Sequence, residues 1–381
     1  MRILMNCLSC VSGGAVAYLR NLTPRLHGLF AESPGGNQLR ILAHASQSDL
    51  LSDVPEDALI LVNGRRPLGY RRLLWEKRHL PRIAAEHDVD VVFVPYQVGM
   101  HVKGLRHIFM LRNMEPFFYR GYNYGWRGGL RNNLLHRYSV RTLRMADRVI
   151  AVSQFAHDWL VHSMNVRPER VRTVYHGRDE SFTPEGNADG DRQLLTQIGV
   201  RNGFLLTCGS MLPYRRFEDV IAAFALVADP SGNGLQLVIA GSGNERRYSE
   251  MVRRLAAQSL NPDRIVLPGH VDRLTMQALY RCCRICLVTT EVEACPNIAI
   301  EAMTIGCVIV SSNRPPLPAM FQGCSLEYNA RDIRQMAEQI RKASESAPLR
   351  DRLRARALSR ATAFSWKRCA KDTYAALTQW P

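Results

Sequence analysis

The sequence predicts an α/β fold of two Rossmann-like, doubly wound domains. Three observations predict it: short apolar strand patterns that alternate with helical patterns, a length of 381 residues, and a single break in the alternation. That length exceeds one typical domain and suits two of roughly 180 residues each. An apolar content of 46% is ample for two cores. Strand-helix alternation implies parallel strands, since each helix carries the chain back to the same end of the sheet.

In the first half, β-branched or apolar runs mark strands over Ile3–Leu8, Leu39–Ala43, Leu59–Val62, Val91–Val94, His107–Leu111, Arg148–Val152 and Val171–Tyr175. Helical patterns lie between several of them, at Ala15–Leu29, Leu68–Ala85, Leu130–Met145 and Gln154–Met164. Around Ser181–Asp191 the composition turns to Pro, Gly, Asn and Asp, which reads as a linker. The alternation then restarts with strands at Phe204–Cys208, Leu235–Ala240, Ile265–Leu267, Ile285–Thr290 and Cys307–Ser311. Helices are expected at Phe217–Ala228, Glu245–Ser259 and Leu274–Arg281. The expected division is an N-terminal domain over 1–180, a linker over 181–200, a C-terminal domain over 201–363 and a final helix over 364–381. Ligands of such sheets bind beyond the carboxyl ends of the strands, here in a cleft between the domains.

Composition narrows the function. No run approaches the roughly 20 apolar residues that cross a bilayer, and the N-terminus starts with a strand pattern rather than a signal peptide, so a cytoplasmic protein is expected. The ten cysteines are scattered, several inside strand patterns, as buried residues of a reducing compartment are. Cys7-x-x-Cys10 and the Cys282, Cys283, Cys286 cluster lack the paired spacing of a zinc site, so no metal is expected.

The net charge of +16 is uneven. From His101 to Ile150 ten Lys and Arg stand against two acids, and from Gly64 to Arg82 seven stand against Glu76, with Tyr70, Leu73, Leu74 and Trp75 interleaved. That mixture suits the surface of an anionic membrane, apolar side chains dipping in and Arg among the headgroups. The alternative is a solvated helix packed on its Leu and Trp face. No nucleic-acid recognition module accompanies the charge, so nucleic acid is not an expected partner.

The most informative run is Glu-Val-Glu-Ala-Cys-Pro-Asn-Ile-Ala-Ile-Glu-Ala-Met, which places Glu293 eight positions before Glu301 between two strand patterns. Pro296 fits the first helical position. Glu293 then lies on the loop, Glu301 in the second turn, and the amides of Cys295, Asn297 and Ile298 at the positive end of the helix. Amides and dipole suit a phosphate, and carboxylates suit the vicinal hydroxyls of ribose and sugar. Two acids near a helix start also do no more, in many proteins, than complement the dipole.

Ser12-Gly13-Gly14-Ala15 opens the first helix, where glycines let backbone approach a ligand. Cys208-Gly-Ser-Met-Leu-Pro-Tyr-Arg-Arg ends a strand with Ser210, Arg215 and Arg216. Ala240-Gly-Ser-Gly-Asn-Glu, through Asn244, repeats the strand, glycine turn and helix order, with Gly241 first in the turn. Leu267-Pro-Gly-His-Val-Asp follows with Val271.

With Ala-Met-x-x-Gly-Cys-Val-Ile-Val-Ser-Ser after Glu301, these segments resemble the retaining glycosyltransferases of family 4, which have the GT-B fold, and in the family's order they cover nearly the whole chain. The resemblance implies transfer of a hexose-type sugar from a nucleotide diphosphate-sugar, GDP- or UDP-linked, with retention of configuration and no metal or other cofactor. It implies a lipid-linked or lipid A-linked glycan acceptor, held by the N-terminal domain at the inner face of a membrane. Glu301 would meet the ribose, Glu293 the donor sugar, and the amides of residues 295–298 with Gly13 and Gly14 the phosphates. Val271 would meet the base through its backbone, while the Gly241 turn lines the nucleotide site. Relatives carry Arg and Lys at positions 210 and 215; here Arg215 takes the second place, and Ser210 leaves the diphosphate short of one cation unless Arg216 or a group of the basic N-terminal domain supplies it. Met110-Leu-Arg-Asn-Met-Glu-Pro-Phe117 resembles a segment of polysaccharide-building members, in which Arg112 or Asn113 would meet the sugar or the transferring oxygen, or else fix the loop. Ser153 matches a helix start near the cleft, and His176 a structural position. Two other readings remain: a nucleotide-sugar epimerase on the same fold, and a non-catalytic relative that binds glycan or membrane.

Overall fold

The computed structural model describes every residue except 12, 34, 202, 229–233, 244 and 381, so Ser12 and Asn244 lie outside the described residues. The chain divides into two compact units. One comprises Met1–Phe117, Asn132–Gly177 and Ser365–Pro381, the other Phe118–Arg131 and Arg178–Phe364.

The first unit holds β1 (Arg2–Asn6), β2 (Gln38–His44), β3 (Leu59–Val62), β4 (Val91–Val94), β5 (Arg106–Leu111), β6 (Arg148–Ala151) and β7 (Val171–Thr173). All pair in parallel, in the order β3-β2-β1-β4-β5-β6-β7. Ile3, Leu4 and Met5 are buried without alternation, as are Val91–Val94, because helices cover both faces of the sheet. The first strand stops at Asn6 rather than Leu8, where the Asn6 side chain accepts from the Leu8 amide at 3.2 Å and turns the chain.

The second unit repeats the plan with β8 (Leu205–Cys208), β9 (Leu237–Ala240), β10 (Ile265–Gly269), β11 (Ile285–Val288), β12 (Ile309–Ser312) and β13 (Ser325–Tyr328), ordered β10-β9-β8-β11-β12-β13. In each sheet the order reverses beside the first strand, between β1 and β4 and between β8 and β11. Such a reversal opens a crevice at the carboxyl ends of the two strands concerned.

Three expectations are corrected. The 181–200 stretch is not bare linker: it carries the helix Ala188–Gln197, capped by Asn187, whose side chain accepts from Asp189 and Gly190. That helix is pinned by the buried Asp191–Arg281 ion pair at 2.5 Å. Residues 118–131 group with the second unit rather than with a 1–180 domain. Tyr122 explains this, donating to Glu291 at 2.8 Å and packing on the Tyr214 ring. Finally, the helix Tyr70–Glu86 packs on a mixed face rather than on Leu and Trp alone, with Leu73 and Trp75 only half-buried. It buries Arg72, Glu76, Leu80 and Ala84 at four-residue spacing and leaves Leu74 61% exposed.

Candidate active site

At the reversal between β8 and β11 two chain segments meet. β8 ends at Cys208, and the turn after it brings Arg215 back over Gly209, whose missing side chain leaves room for the guanidinium. β11 ends at Val288, and the loop after it carries Glu293. Arg215 Nη1 lies 2.6 Å from Glu293 Oε1, both side chains largely buried. Thr289 donates to the Arg215 carbonyl at 2.6 Å and Thr290 to Glu293 at 3.3 Å, so the strand end fixes both partners. Burial works against charge on Arg215, and Glu293 together with Tyr214, Cys208 and Tyr280 outweighs it. The buried Nε of Arg215 has no hydrogen-bond partner, which leaves a donor for an anion.

Pro296 caps the next helix rather than opening it, with the helix running Asn297–Ile305 and Glu301 in its second turn. The Asn297 and Ile298 amides start that helix, after the buried Cys295. Glu301 accepts from Tyr280 at 3.0 Å. Burial pushes its carboxyl up to about 7, against the pull of the Tyr280 hydrogen bond.

Arg216, the neighbour that would make up for the cation absent at Ser210, is engaged with two carboxylates. It stands in the left-handed region at φ 56°, and its guanidinium reaches Glu218 at 2.7 Å and both oxygens of Asp219 at 2.8 and 2.9 Å. Ser210 is exposed. Gly241 has a packing reason of its own: a Cβ there would stand 1.9 Å from the Gly209 carbonyl oxygen, so the turns after β8 and β9 touch backbone to backbone. Beyond these turns, Met211, Gly241, Gly243, Arg246, Arg253 and Gly269 help to line a cavity of about 230 Å³. Val271 sits just before Asp272, which caps the helix Arg273–Cys282 by accepting from Thr275 at 2.8 Å.

In the first unit, Gly13 adopts φ 54° and caps the helix Gly14–Ala31. Arg112, at the end of β5, lies over the Tyr18 ring at 5.4 Å, and its Nη1 is buried without a hydrogen-bond partner. Asn113 is engaged otherwise. Its side chain accepts from the Glu115 amide at 3.0 Å and its carbonyl from Gln97 at 2.7 Å, so it fixes the loop. Ser153 accepts from the Ala156 amide at 3.2 Å as a helix cap, and His176 is buried against Tyr18 and Trp366.

Sequence reasoning missed two groups. Glu291, two positions before Glu293, is buried and accepts from Nε and Nη2 of Arg331, each at 2.8 Å, and from Tyr122. Its signal was present, a third acid in the same run. Tyr280 had none, since an aromatic residue in a helical pattern reads as core.

Two family models match, Glycosyltransferase Family 4 over residues 12–182 and glycosyl transferases group 1 over 196–360. The chain belongs to these glycosyltransferases. Relatives include the serotype-specific mannosyltransferase WbdA of Escherichia coli, 22% identical over 59% of this chain and 28% of that protein. O-antigen chain mannosyltransferase B of Escherichia coli is 22% identical over 61% and 60%. The chain thus spans less than two thirds of these relatives. Among solved structures, Anabaena Alr3699/HepE in complex with UDP and glucose is 16% identical with a TM-score of 0.76, covering 100% of both chains. WaaG, a glycosyltransferase involved in lipopolysaccharide biosynthesis, is 16% identical with a TM-score of 0.70, again over 100% of both. The fold of this family 4 chain is GT-B.

Proposed function

We propose that this family 4 glycosyltransferase moves a hexose-type sugar from a nucleoside diphosphate-sugar to a glycan or lipid-linked acceptor in surface polysaccharide synthesis. The observation that carries the reading is the meeting of Arg215 and Glu293 at the strand-order reversal, with Glu301 on the helix that follows. Transfer from such a donor passes through an oxocarbenium-like transition state while a diphosphate departs, so positioning and charge stabilisation are the protein's main tasks. Arg215 stabilises the leaving group, and its charge passes from Glu293 to the diphosphate as the donor arrives. Glu293 then meets hydroxyls of the sugar. Glu301 accepts from the ribose, and the Asn297 and Ile298 amides hold phosphate. Retention without a metal fits a front-face route in which the diphosphate takes the acceptor's proton. The mannosyltransferase relatives and the UDP complex of HepE support a GDP- or UDP-hexose.

No described helix is long and apolar enough to cross a membrane. Peripheral attachment to the inner face of the cell membrane is supported by the helix Tyr70–Glu86, which exposes Tyr70 and Leu74 among Arg71, Lys77, Arg78 and Arg82. The helix Gly125–Met145 shows the same mixture, exposing Trp126, Leu130, Leu134 and Tyr138 among arginines while burying Asn132, Ser139 and Thr142.

A non-catalytic role is the second reading, favoured by exposed Ser210 and by the engagement of Arg216 with two carboxylates. Incubation with UDP- and GDP-hexoses, with and without oligosaccharide acceptors, separates the readings. Sugar transfer that Glu301→Ala abolishes is expected. Binding without turnover marks a non-catalytic relative, and altered sugar without acceptor marks an epimerase.

A further inference from the structure

Tyr280 lies in the helix Arg273–Cys282 and is 1% exposed, yet its hydroxyl is directed out of that helix. It stands 3.0 Å from Glu301 Oε2 and 3.2 Å from the Sγ of Cys208, the last residue of β8. A phenol has one proton to donate and an ionised carboxylate can only accept, so Glu301 accepts the hydrogen bond from Tyr280, and the Cys208 thiol donates to the phenol oxygen. Burial pushes both the thiol and the phenol well above their ordinary ranges, so neither loses its proton near neutrality and the chain keeps one direction.

We propose that Tyr280 is a positioning residue for Glu301, its hydroxyl holding Oε2 so that the carboxylate meets the nucleoside diphosphate-sugar ionised and in one orientation. This rests on the donor-site reading above. The groups that face Glu301 are Tyr280 and Arg273 from one helix, Asp179 from the segment after β7, Cys208 from β8 and Cys286 from β11. Arg273 and Asp179 are paired at 2.5 Å and act on Glu301 in opposite senses, and the two thiols are buried and protonated. Tyr280 is thus the neighbour that favours the carboxylate by direct contact. Glu301, pushed up to about 7, changes charge near neutrality, and a lost hydrogen bond there changes affinity.

The test is calorimetry with UDP and GDP on the intact chain between about pH 5.5 and 9.5. Glu301→Gln supplies the baseline set by the nucleotide's own phosphate. Wild type should bind more tightly as pH rises through the Glu301 transition. Tyr280→Phe should move that midpoint up by about 1 in pH, leaving binding about fivefold weaker at pH 7, with the gap narrowing at the alkaline end to the smaller loss that a misoriented carboxylate leaves. Cys208→Ala, which keeps the phenol and removes the donor behind it, should shift the midpoint the same way by less, and it serves if Tyr280→Phe does not fold. Profiles that superimpose on wild type while Glu301→Gln weakens binding overturn the role of Tyr280 and leave the donor site standing. Wild-type affinity in Glu301→Gln, or no binding of either nucleotide to wild type, overturns the donor reading itself.

Discussion

Gly241 shows how one residue can be bound by its neighbours rather than by a ligand. Its φ of 143° and the Gly209 carbonyl 1.9 Å from a would-be Cβ both exclude a side chain. Gly241→Ala should therefore destabilise the second unit by at least about 2 kcal/mol, read by chemical denaturation. Legibility at this scale follows chemistry. Glu293, Glu301 and Arg215 are charged groups near the carboxyl ends of strands, where they suit anion and hydroxyl recognition, and the resemblance of the surrounding runs to family 4 is what separates them from ornaments of the helix dipole. Asn113 holds its loop through the Gln97 side chain and the Glu115 amide, partners that no spacing announces. Tyr280 was silent because its hydroxyl acts across elements, 21 positions from Glu301.

At the scale of elements, the inner strands are legible to within a few residues because they are buried on both faces, which makes each a short unbroken apolar run, whereas the edge strand β13, Ser-Leu-Glu-Tyr with Glu327 exposed, carries no such run and escapes the sequence reading. The helix Ala188–Gln197 is not legible either, since its cap and first turn are built of Asn, Asp and Gly, the residues that also mark linkers. The helix Tyr70–Glu86 differs in another way, for half of its buried face is ionic. Arg72 meets Glu76 at 2.7 Å, Asn6 donates to the same oxygen at 2.8 Å, and Arg72 also reaches the Val98 carbonyl at 2.8 Å. Removing one partner strands the other in a dry site. Glu76→Ala should cost about 3–5 kcal/mol in denaturation of the first unit, whereas Lys77→Ala, on the exposed face, should change stability by less than about 0.5 kcal/mol.

At the scale of the whole molecule, pH and surface charge set the conditions under which the enzyme works. His107 is buried at the start of β5, and burial and neighbouring His101 lower its pKa to about 4. The fold keeps it neutral, so its stability is fully present above about pH 6.5, where the unfolded chain is neutral too. Below that the unfolded chain takes a proton that the fold refuses, and stability falls as pH drops towards about 4. His107→Gln should flatten the acid limb of a plot of thermal midpoint against pH. The exposed apolar and basic faces predict flotation with phosphatidylglycerol vesicles, reversed by salt, and Leu74→Glu should weaken it about tenfold.

The central claim is that Arg215, poised on Glu293, receives the departing diphosphate. It is tested most directly by acceptor-dependent release of nucleoside diphosphate from wild type and Arg215→Ala at saturating donor. Release should slow by about 100-fold or more in the variant; release at the wild-type rate would contradict the account.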